Sequence, residues 1–503
     1  MSCGYLTTEG FIVPLDLLKQ SFGSKYNSFL SKLTITHFQK IGPPKQAYMY
    51  KKVLRGGITC MQLPRTLIRV FLDNKILSDV EILLPVIKPI DVRLFIELFE
   101  NQQIIVKYLL DNVFVHKRMI AGTATCIFNL KAGQGKTFVA GGIIACARMR
   151  TLYIVPKRPL MIQAVKDLRA CLYPDDDKPT INIGQYGNIK KRDPRTDPRN
   201  QDVTVIVINS ALLLSADFFR GYNLVILDEV HSYCSDQRKE IFRKASLNMC
   251  LGMSATTEDR TDGFDPIAHK ELAFDGIIRA ENIPGFKYEE VDFITDVKVI
   301  RYKGPPEFTQ TLTHDSTGKI FTPYMNKQFL RDPMRMQLVI KELRELYDWK
   351  DDKGNQHCIY VFSEERDALK DVYRELKKSF EYVDAPELRI QLGDNDVGEF
   401  IGGIKDAEIT TMRENARILL TTYGYSGTGV SIDKMTAILF LTPRRANMKQ
   451  ILARILRRGG NKDIRRKVID IVDDKTPIKY QYGSRLIAYE FYNMEVCKSC
   501  VSL

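Results

Sequence analysis

At 503 residues, 44% hydrophobic and 27% charged, the chain has room for two large domains or three smaller ones, each with its own core. No apolar run approaches the roughly 18 residues that cross a bilayer, and Met1 to Gly10 has neither a basic region nor an apolar core, so the expectation is a soluble intracellular protein with no membrane partner and no leader. The formal net charge of +13 points to a polyanionic partner.

Residues 1–88 read as a small α+β module. Short apolar runs (Gly10 to Leu15, Phe29 to Ile35, Ala47 to Val53, Gly57 to Leu63, Ile82 to Val86) are punctuated by turn residues and predict a meander with some helix. Residues 89–265 read as a first large α/β domain. From Asp91 the spacing of Leu94, Leu98, Ile105, Val106, Leu109 and Leu110 predicts a helix. Gln102 lies in it, and a Gln amide can pair both edges of adenine.

The stretch Asn129 to Ala140, Asn-Leu-Lys-Ala-Gly-Gln-Gly-Lys-Thr-Phe-Val-Ala, follows an apolar strand and opens a helix. Strand, Gly-rich turn and helix in that order make a phosphate cradle. Ala132, Gly133, Gln134 and Gly135 form the turn. Gly133 and Gly135 lack a Cβ, so backbone N–H groups can close around phosphate oxygens. Lys136 can reach the β- and γ-phosphates of ATP, and the Thr137 hydroxyl can ligate Mg²⁺. Leu130 stands where the general pattern has Gly.

Strand and helix then alternate: Thr151 to Val155 ending at Pro156, a helix Leu160 to Leu168, a strand Ile181 to Ile183, a basic Pro-rich loop Gly187 to Arg199, and a strand Val203 to Ile208. That rhythm implies a parallel, doubly wound sheet. The apolar strand Leu224 to Leu227 delivers Asp228, Glu229, Val230 and His231 at its C-terminal edge, where such sheets place ligand chemistry. Asp228 is a candidate Mg²⁺ ligand. Glu229 is a candidate to orient and deprotonate water. A further strand, Asn248 to Met253, ends in Ser254, Ala255 and Thr256, whose hydroxyls can hydrogen-bond the acidic pair and sense the γ-phosphate.

Residues 266–335 read as a connector, and 336–478 as a second α/β domain without a phosphate loop. Its expected strands are Cys358 to Phe362 (followed by Ser363), Ile418 to Thr422, Ala437 to Leu441 and Val468 to Val472. On a helix from Asn447, Gln450, Arg454 and Arg457 fall at i, i+4 and i+7 and share a face, which suits contact with a γ-phosphate bound on a neighbouring domain. Arg458, Lys462, Arg465, Arg466 and Lys467 read as a basic surface stripe or as phosphate contacts. Residues 479–503 read as a helix, Gln481 to Tyr492, and a tail. The ten cysteines are scattered, which fits reduced thiols, and the pair Cys497 and Cys500 lacks the further ligands of a zinc site.

In combination these motifs resemble the superfamily 2 helicases of DExH type over residues 90–475. Asn129 to Thr137 resembles motif I, Pro156 and Gln163 motif Ia, Asn209 and Ser210 motif Ic, and Asp228 to His231 motif II. Ser254 to Thr256 resembles motif III, Phe362 and Ser363 motif IV, Thr421 to Asp433 motif V, and Gln450 to Arg457 motif VI, with Ala453 where Gly is usual. Within the superfamily, the stretch Ile58 to Arg65, the run Thr442 to Met448 before motif VI and the short tail with its Tyr-rich helix Gln481 to Tyr492 make the chain similar to the transcript-release helicases of large nucleo-cytoplasmic DNA viruses, of poxvirus and asfarvirus type, related to the UvsW and XPB group. The resemblance implies two RecA-like domains in tandem and ATP with Mg²⁺ as cofactors. It implies a catalytic set of Asp228, Glu229, Gln450, Arg454 and Arg457, with Gly429 and Asp433 also at the nucleotide. Pro156, Asn209, Ser363 and Thr421 are implied to line the nucleic-acid track, and His231, Ser254 and Thr256 to couple it to hydrolysis. It further implies 3′-to-5′ movement on DNA and a viral RNA polymerase complex as partner, in the host cytoplasm, virus factory and virion. RNA as the track, and duplex translocation without strand separation, are the alternatives.

Overall fold

The computed structural model describes residues 3–37, 44–131, 133–174, 179–186, 201–256, 263–288, 293–313, 318, 320–381, 392–393, 396–401, 406–426, 432–457 and 459–502. The expected sites Ala132 and Gly429, and the basic loop Gly187 to Arg199, lie outside them. The chain forms two compact units, Met1–Glu289 and Glu290–Leu503.

In the first unit the strands are β1 (Cys3–Thr7), β2 (Gly10–Pro14), β3 (Thr34–His37), β4 (Lys45–Tyr48), β5 (Lys51–Arg55), β6 (Ile58–Leu63), β7 (Asp79–Leu83), β8 (Thr125–Asn129), β9 (Thr151–Val155), β10 (Ile183–Tyr186), β11 (Val203–Val207), β12 (Leu224–Asp228), β13 (Met249–Ser254) and β14 (Ile277–Arg279). The module at the start is a mixed sheet in the order β5-β6-β2-β1-β7, with β3 and β4 as a separate hairpin. The run Phe29 to Ile35 does not form one strand. Tyr26–Lys32 is a helix instead, because Tyr26, Phe29 and Leu30 fall at helical spacing and pack together on the core. The helix expected from Asp91 starts only at Glu100 and runs to Asn112.

The second sheet of this unit is parallel throughout, in the order β10-β11-β9-β12-β13-β8-β14. β12 is buried along its whole length. Each of its aliphatic side chains contributes about 2 kcal/mol on leaving water. Two-sided burial explains why it reads as a continuous apolar run.

The module and this sheet share one core cluster, in which Leu6, Phe11 and Val13 pack with Ile127, Leu152, Ile154 and Val225. Arg65 joins them. It is 2% exposed and donates from Nε to the Gly122 carbonyl at 2.8 Å and from Nη1 to the Leu247 carbonyl at 2.7 Å.

In the second unit the strands are β15 (Thr295–Lys303), β16 (Ile359–Ser363), β17 (Val397–Phe400), β18 (Ile418–Thr422), β19 (Ala437–Phe440), β20 (Arg466–Asp473) and β21 (Glu495–Ser502). They form a parallel sheet in the order β17-β18-β16-β19-β20-β15-β21. The two seven-stranded parallel sheets with flanking helices are RecA-like domains in tandem. The stretch expected as a connector supplies β14 to the first sheet and β15 to the second, and the expected tail supplies β21 as an edge strand beside β15. The helix Tyr482–Phe491 precedes that strand.

Buried polar residues pin the second sheet. Arg335 donates from Nε to Asp473 at 2.7 Å and from Nη2 to the Leu441 carbonyl at 3.0 Å. His357 is fully buried, with Nδ1 3.0 Å from Thr436 Oγ1 and its ring stacked on Trp349.

Two outcomes are expected. Arg65→Met removes a buried donor from two carbonyls, so the first unfolding transition in urea should lose roughly 3 kcal/mol. Burial, then the charges of Lys467, Arg466 and Arg417, hold the His357 imidazole down to about 4. The unfolded chain binds its proton near 6.5, so stability is full above that pH and falls as pH drops from 6.5 towards 4, by about 3 kcal/mol. Urea titrations across that window should show the loss in the wild type and a shallower one in His357→Leu.

Candidate functional site: a nucleotide cradle and its coupled network

The phosphate loop sits between β8 and the helix Lys136–Ala147. Gly133 and Gly135 have φ of 81° and 76°, the left-handed region that favours glycine. A Cβ on Gly133 would meet nothing within 4 Å, so that side of the loop is open to a ligand. Leu130 is fully buried in the core and its N–H donates to the Ser254 carbonyl at 3.1 Å. The position therefore anchors the loop to β13 and has no need of glycine. The Gln102 side chain is buried over the loop. Its Oε1 accepts from the Phe99 N–H at 3.1 Å and its Nε2 donates to the Gln134 carbonyl at 3.4 Å. Gln102 thus ties the start of its own helix to the phosphate loop.

β13 lies between β12 and β8, with Asp228 opposite Met253 and Ser254 opposite Asn129. Parallel strands end on one edge, so the acidic pair, Ser254 and the phosphate loop come together within a few ~4.8 Å steps. Glu229 has φ 51°, a left-handed turn directly after the strand, and its N–H donates to Asp228 Oδ1 at 3.0 Å. Lys136 Nζ stands 3.5 Å from Glu229 Oε1, and both side chains are largely buried. Burial, and then the Glu229 charge, raise the Asp228 carboxyl above the usual carboxylate range, against the pull of Lys136. Two buried carboxylates facing one lysine are a donor set short of positive charge, which fits a divalent cation held by Asp228 with the Thr137 hydroxyl.

His231 Nδ1 lies 2.7 Å from Ser254 Oγ and 3.6 Å from Glu229 Oε2. Ser254 Oγ in turn donates to the Thr256 carbonyl at 2.9 Å and accepts from its N–H at 3.0 Å. Glu229, His231, Ser254 and Thr256 are thus consecutive members of one polar network, and the Ser254 carbonyl joins it to Leu130.

Tyr233 went unread in the sequence. Its hydroxyl donates to the Asp228 carbonyl at 2.7 Å and the Ile154 carbonyl at 3.0 Å, fixing the end of β12 against β9. Burial, then Asp228, push its phenol well above the usual value, so it stays a donor. A tyrosine five residues beyond an apolar strand gives no periodic signal that would have singled it out.

In the second unit the expected arginine helix is shorter than its spacing implies. It spans Met448–Leu452 and gives way to three-residue turns, with Arg454 N–H donating to Ile451 and Ile455 N–H to Leu452. Its carbonyls find other partners: Arg466 takes the Ile455 carbonyl at 2.7 Å and the Gly460 N–H takes that of Arg457 at 3.0 Å. Gln450 and Arg454 are buried and Arg457 is half-buried. Burial raises the Tyr360 phenol, and the charges of Arg454, Arg457, Arg413 and Asp433 all reach it. Asp433 lies over the Gly459–Gly460 turn, where a Cβ on Gly459 would come within 2.6 Å of its Oδ2.

Arg466 is not part of a surface stripe. It is fully buried, donates to the Ile455, Asn461 and Ile464 carbonyls and packs on Phe293. Arg465 and Lys467 pair with Asp296 at 2.6 and 2.5 Å.

Of the expected track residues, Pro156 is buried just beyond β9 and Asn209 is exposed on the short helix Ile208–Ala211. Ser363 and Thr421 are fully buried at the ends of the neighbouring strands β16 and β18. Ser363 Oγ is engaged with Glu365, accepting its N–H at 2.9 Å. These two hydroxyls therefore shape their loops.

A phosphate cradle, a buried acidic pair and a serine–histidine contact on one RecA-like sheet, with buried arginines on a second, are the makings of an ATPase of the helicase class. Residues 95–259 match the family described as the type III restriction enzyme res subunit. QP509L of African swine fever virus (strain Badajoz 1971 Vero-adapted), named as a candidate ATP-dependent RNA helicase, is 31% identical over 396 residues, covering 77% of this chain and 73% of that protein. L396 of Acanthamoeba polyphaga mimivirus, named in the same way, is 26% identical over 363 residues, covering 70% and 61%. Among solved structures, S. cerevisiae Dbp5 bound to RNA and ADP BeF3 aligns over 80% of this chain and 94% of its own, at 14% identity and a TM-score of 0.49. The chain belongs to the superfamily 2 helicases of large DNA viruses and is an ATP-dependent nucleic-acid helicase.

Gly135→Ala should weaken binding of a fluorescent ATP analogue about tenfold. A Cβ there meets Gln102 Nε2 at 2.3 Å, and the left-handed backbone adds about 1 kcal/mol of strain. Unchanged affinity would show that the loop does not need this conformation.

Proposed function

We propose that the chain couples ATP hydrolysis to 3′-to-5′ movement along a DNA strand, and that it serves transcript release from a viral RNA polymerase complex in the virus factory and virion. The observation that carries the coupling is the run of contacts from Glu229 through His231 to Ser254 and on to Leu130 at the phosphate loop.

Lys136 and the loop N–H groups hold the phosphates of ATP. Asp228 and the Thr137 hydroxyl would hold Mg²⁺, which would supply charge neutralisation at the transferring phosphoryl group. Glu229 orients the attacking water and accepts its proton. Loss of the γ-phosphate changes what Lys136 and Glu229 face, and the His231–Ser254 contact carries that change to the end of β13. Arg454 and Arg457 act on the γ-phosphate during turnover, with Gln450, Gly429 and Asp433 placing them. The strand is gripped through its phosphates by strand-end loops at Pro156, Asn209, Ser363 and Thr421. DNA as the track rests on the resemblance to transcript-release helicases. RNA is the second reading, favoured by the names of the African swine fever virus and mimivirus relatives.

Glu229→Gln should bind nucleotide normally and hydrolyse it about 10²- to 10⁴-fold more slowly. Wild-type turnover in that variant would sink the assignment. His231→Ala should keep hydrolysis and raise the ATP consumed per base pair displaced. The track is tested by hydrolysis with single-stranded DNA, duplex DNA and RNA in parallel. Stimulation by DNA alone supports the proposal, equal stimulation by RNA moves the second reading forward, and stimulation without strand displacement makes the protein a translocase.

A further inference from the structure

Beyond the strand-end loops already named, the C-terminal edge of the second unit's sheet carries a cleft of about 650 Å³ lined by Arg301, Lys303, Asp474, Lys475, Lys479, Tyr480, Tyr482 and Gly483. It opens where β15 ends at Lys303 and β20 ends at Asp473, with Tyr302 paired to Asp473. Four cationic side chains face a single carboxylate there. That carboxylate, Asp474, already pairs with Arg301 at 2.7 Å. The excess charge is therefore carried by three lysines. Burying a neutral ligand beneath three lysines gains nothing electrostatically, whereas a polyanion is drawn in.

The cleft also holds an exposed ring. Tyr480 is 72% exposed, and Lys479 Nζ lies 5.5 Å from its centroid. Tyr482, by contrast, is buried beneath Arg301, which sits 5.5 Å over its ring. A solvent-facing ring among cations is the pairing that single-stranded nucleic-acid sites use: phosphates on the lysines and a base on the π-face.

Location supports the same ligand. The sheet is parallel, so Ser363 at the end of β16, Thr421 near the end of β18 and Lys303 at the end of β15 all lie on one edge. In the order β18-β16-β19-β20-β15 the cleft is three strands beyond Ser363, roughly 14 Å at ~4.8 Å per strand. We infer that this cleft is a further contact site for the single strand, in which Tyr480 stacks a base and Lys303, Lys475 and Lys479 hold the phosphates beside it. This rests on the proposed track across Ser363 and Thr421 and extends it along the same sheet edge.

The test uses the full chain with Tyr480→Ala and with Lys475→Ala/Lys479→Ala. Binding of a fluorescent single-stranded DNA, and of RNA of the same sequence, is followed by anisotropy against salt, beside ATP hydrolysis. Tyr480→Ala should weaken binding about tenfold with little change in salt dependence. The double lysine variant should lower the slope of log affinity against log salt by about 1.4. Hydrolysis without nucleic acid should match the wild type in both. If both variants bind as the wild type does, while nucleic acid still stimulates wild-type hydrolysis, the cleft is not a strand site and the inference alone falls. If nucleic acid neither binds nor stimulates the wild type, the proposed track falls and the cleft with it.

Discussion

Two carboxylates buried side by side at the end of one strand cannot both stay ionised without a cation, and the nucleotide face of this protein is arranged around that constraint. Asp228 and Glu229 are 8% and 4% exposed, and Lys136 reaches Glu229 from the phosphate loop. Burial, and then the Glu229 charge, raise the Asp228 carboxyl, and the pair favours a cation beside it. Such a pair is tolerated because β12 is central and rigid, and because Tyr233 fixes the carbonyl of Asp228. The left-handed backbone at Glu229 costs on the order of 1 kcal/mol. That turn places Glu229 beside Lys136 and His231 at once.

The same edge is tied together by hydrogen bonds from one residue. Ser254 uses its hydroxyl for His231 and Thr256 and its carbonyl for Leu130. One residue therefore touches the acidic motif and the root of the phosphate loop. Gln102 adds a second tie, from the start of its helix to the carbonyl of Gln134.

Four arginines act as buried cross-links. Arg65, Arg335, Arg466 and Arg485 are all 2% exposed or less, and each binds carbonyls or a buried aspartate. They join the initial module to its neighbour or lock strands of the second sheet. Buried pairs of this kind are close to neutral for stability but costly to break from one side. Buried carboxylates among the described residues offset these buried cations, so the formal charge of +13 stays at the surface, and the ends of β15 and β20 carry a local share of it.

The sequence by itself determined the two parallel sheets, the phosphate loop, the acidic pair and the serine that follows them. Each is encoded locally: apolar runs bounded by turns make buried strands, and Gly, Lys and Thr at fixed spacing make a cradle at a helix N-terminus. Tertiary structure alone decided the rest. The helix through Arg454 stops at Leu452 because its later carbonyls are taken by partners outside the helix, Ile455 by Arg466 and Arg457 by the Gly460 N–H. Arg466 is buried and not a surface cation because its guanidinium meets three carbonyls brought together by distant turns. The apparent connector and tail became β14, β15 and β21 because strand pairing is a contact between segments far apart in the chain, and periodicity within a segment carries no record of its partner.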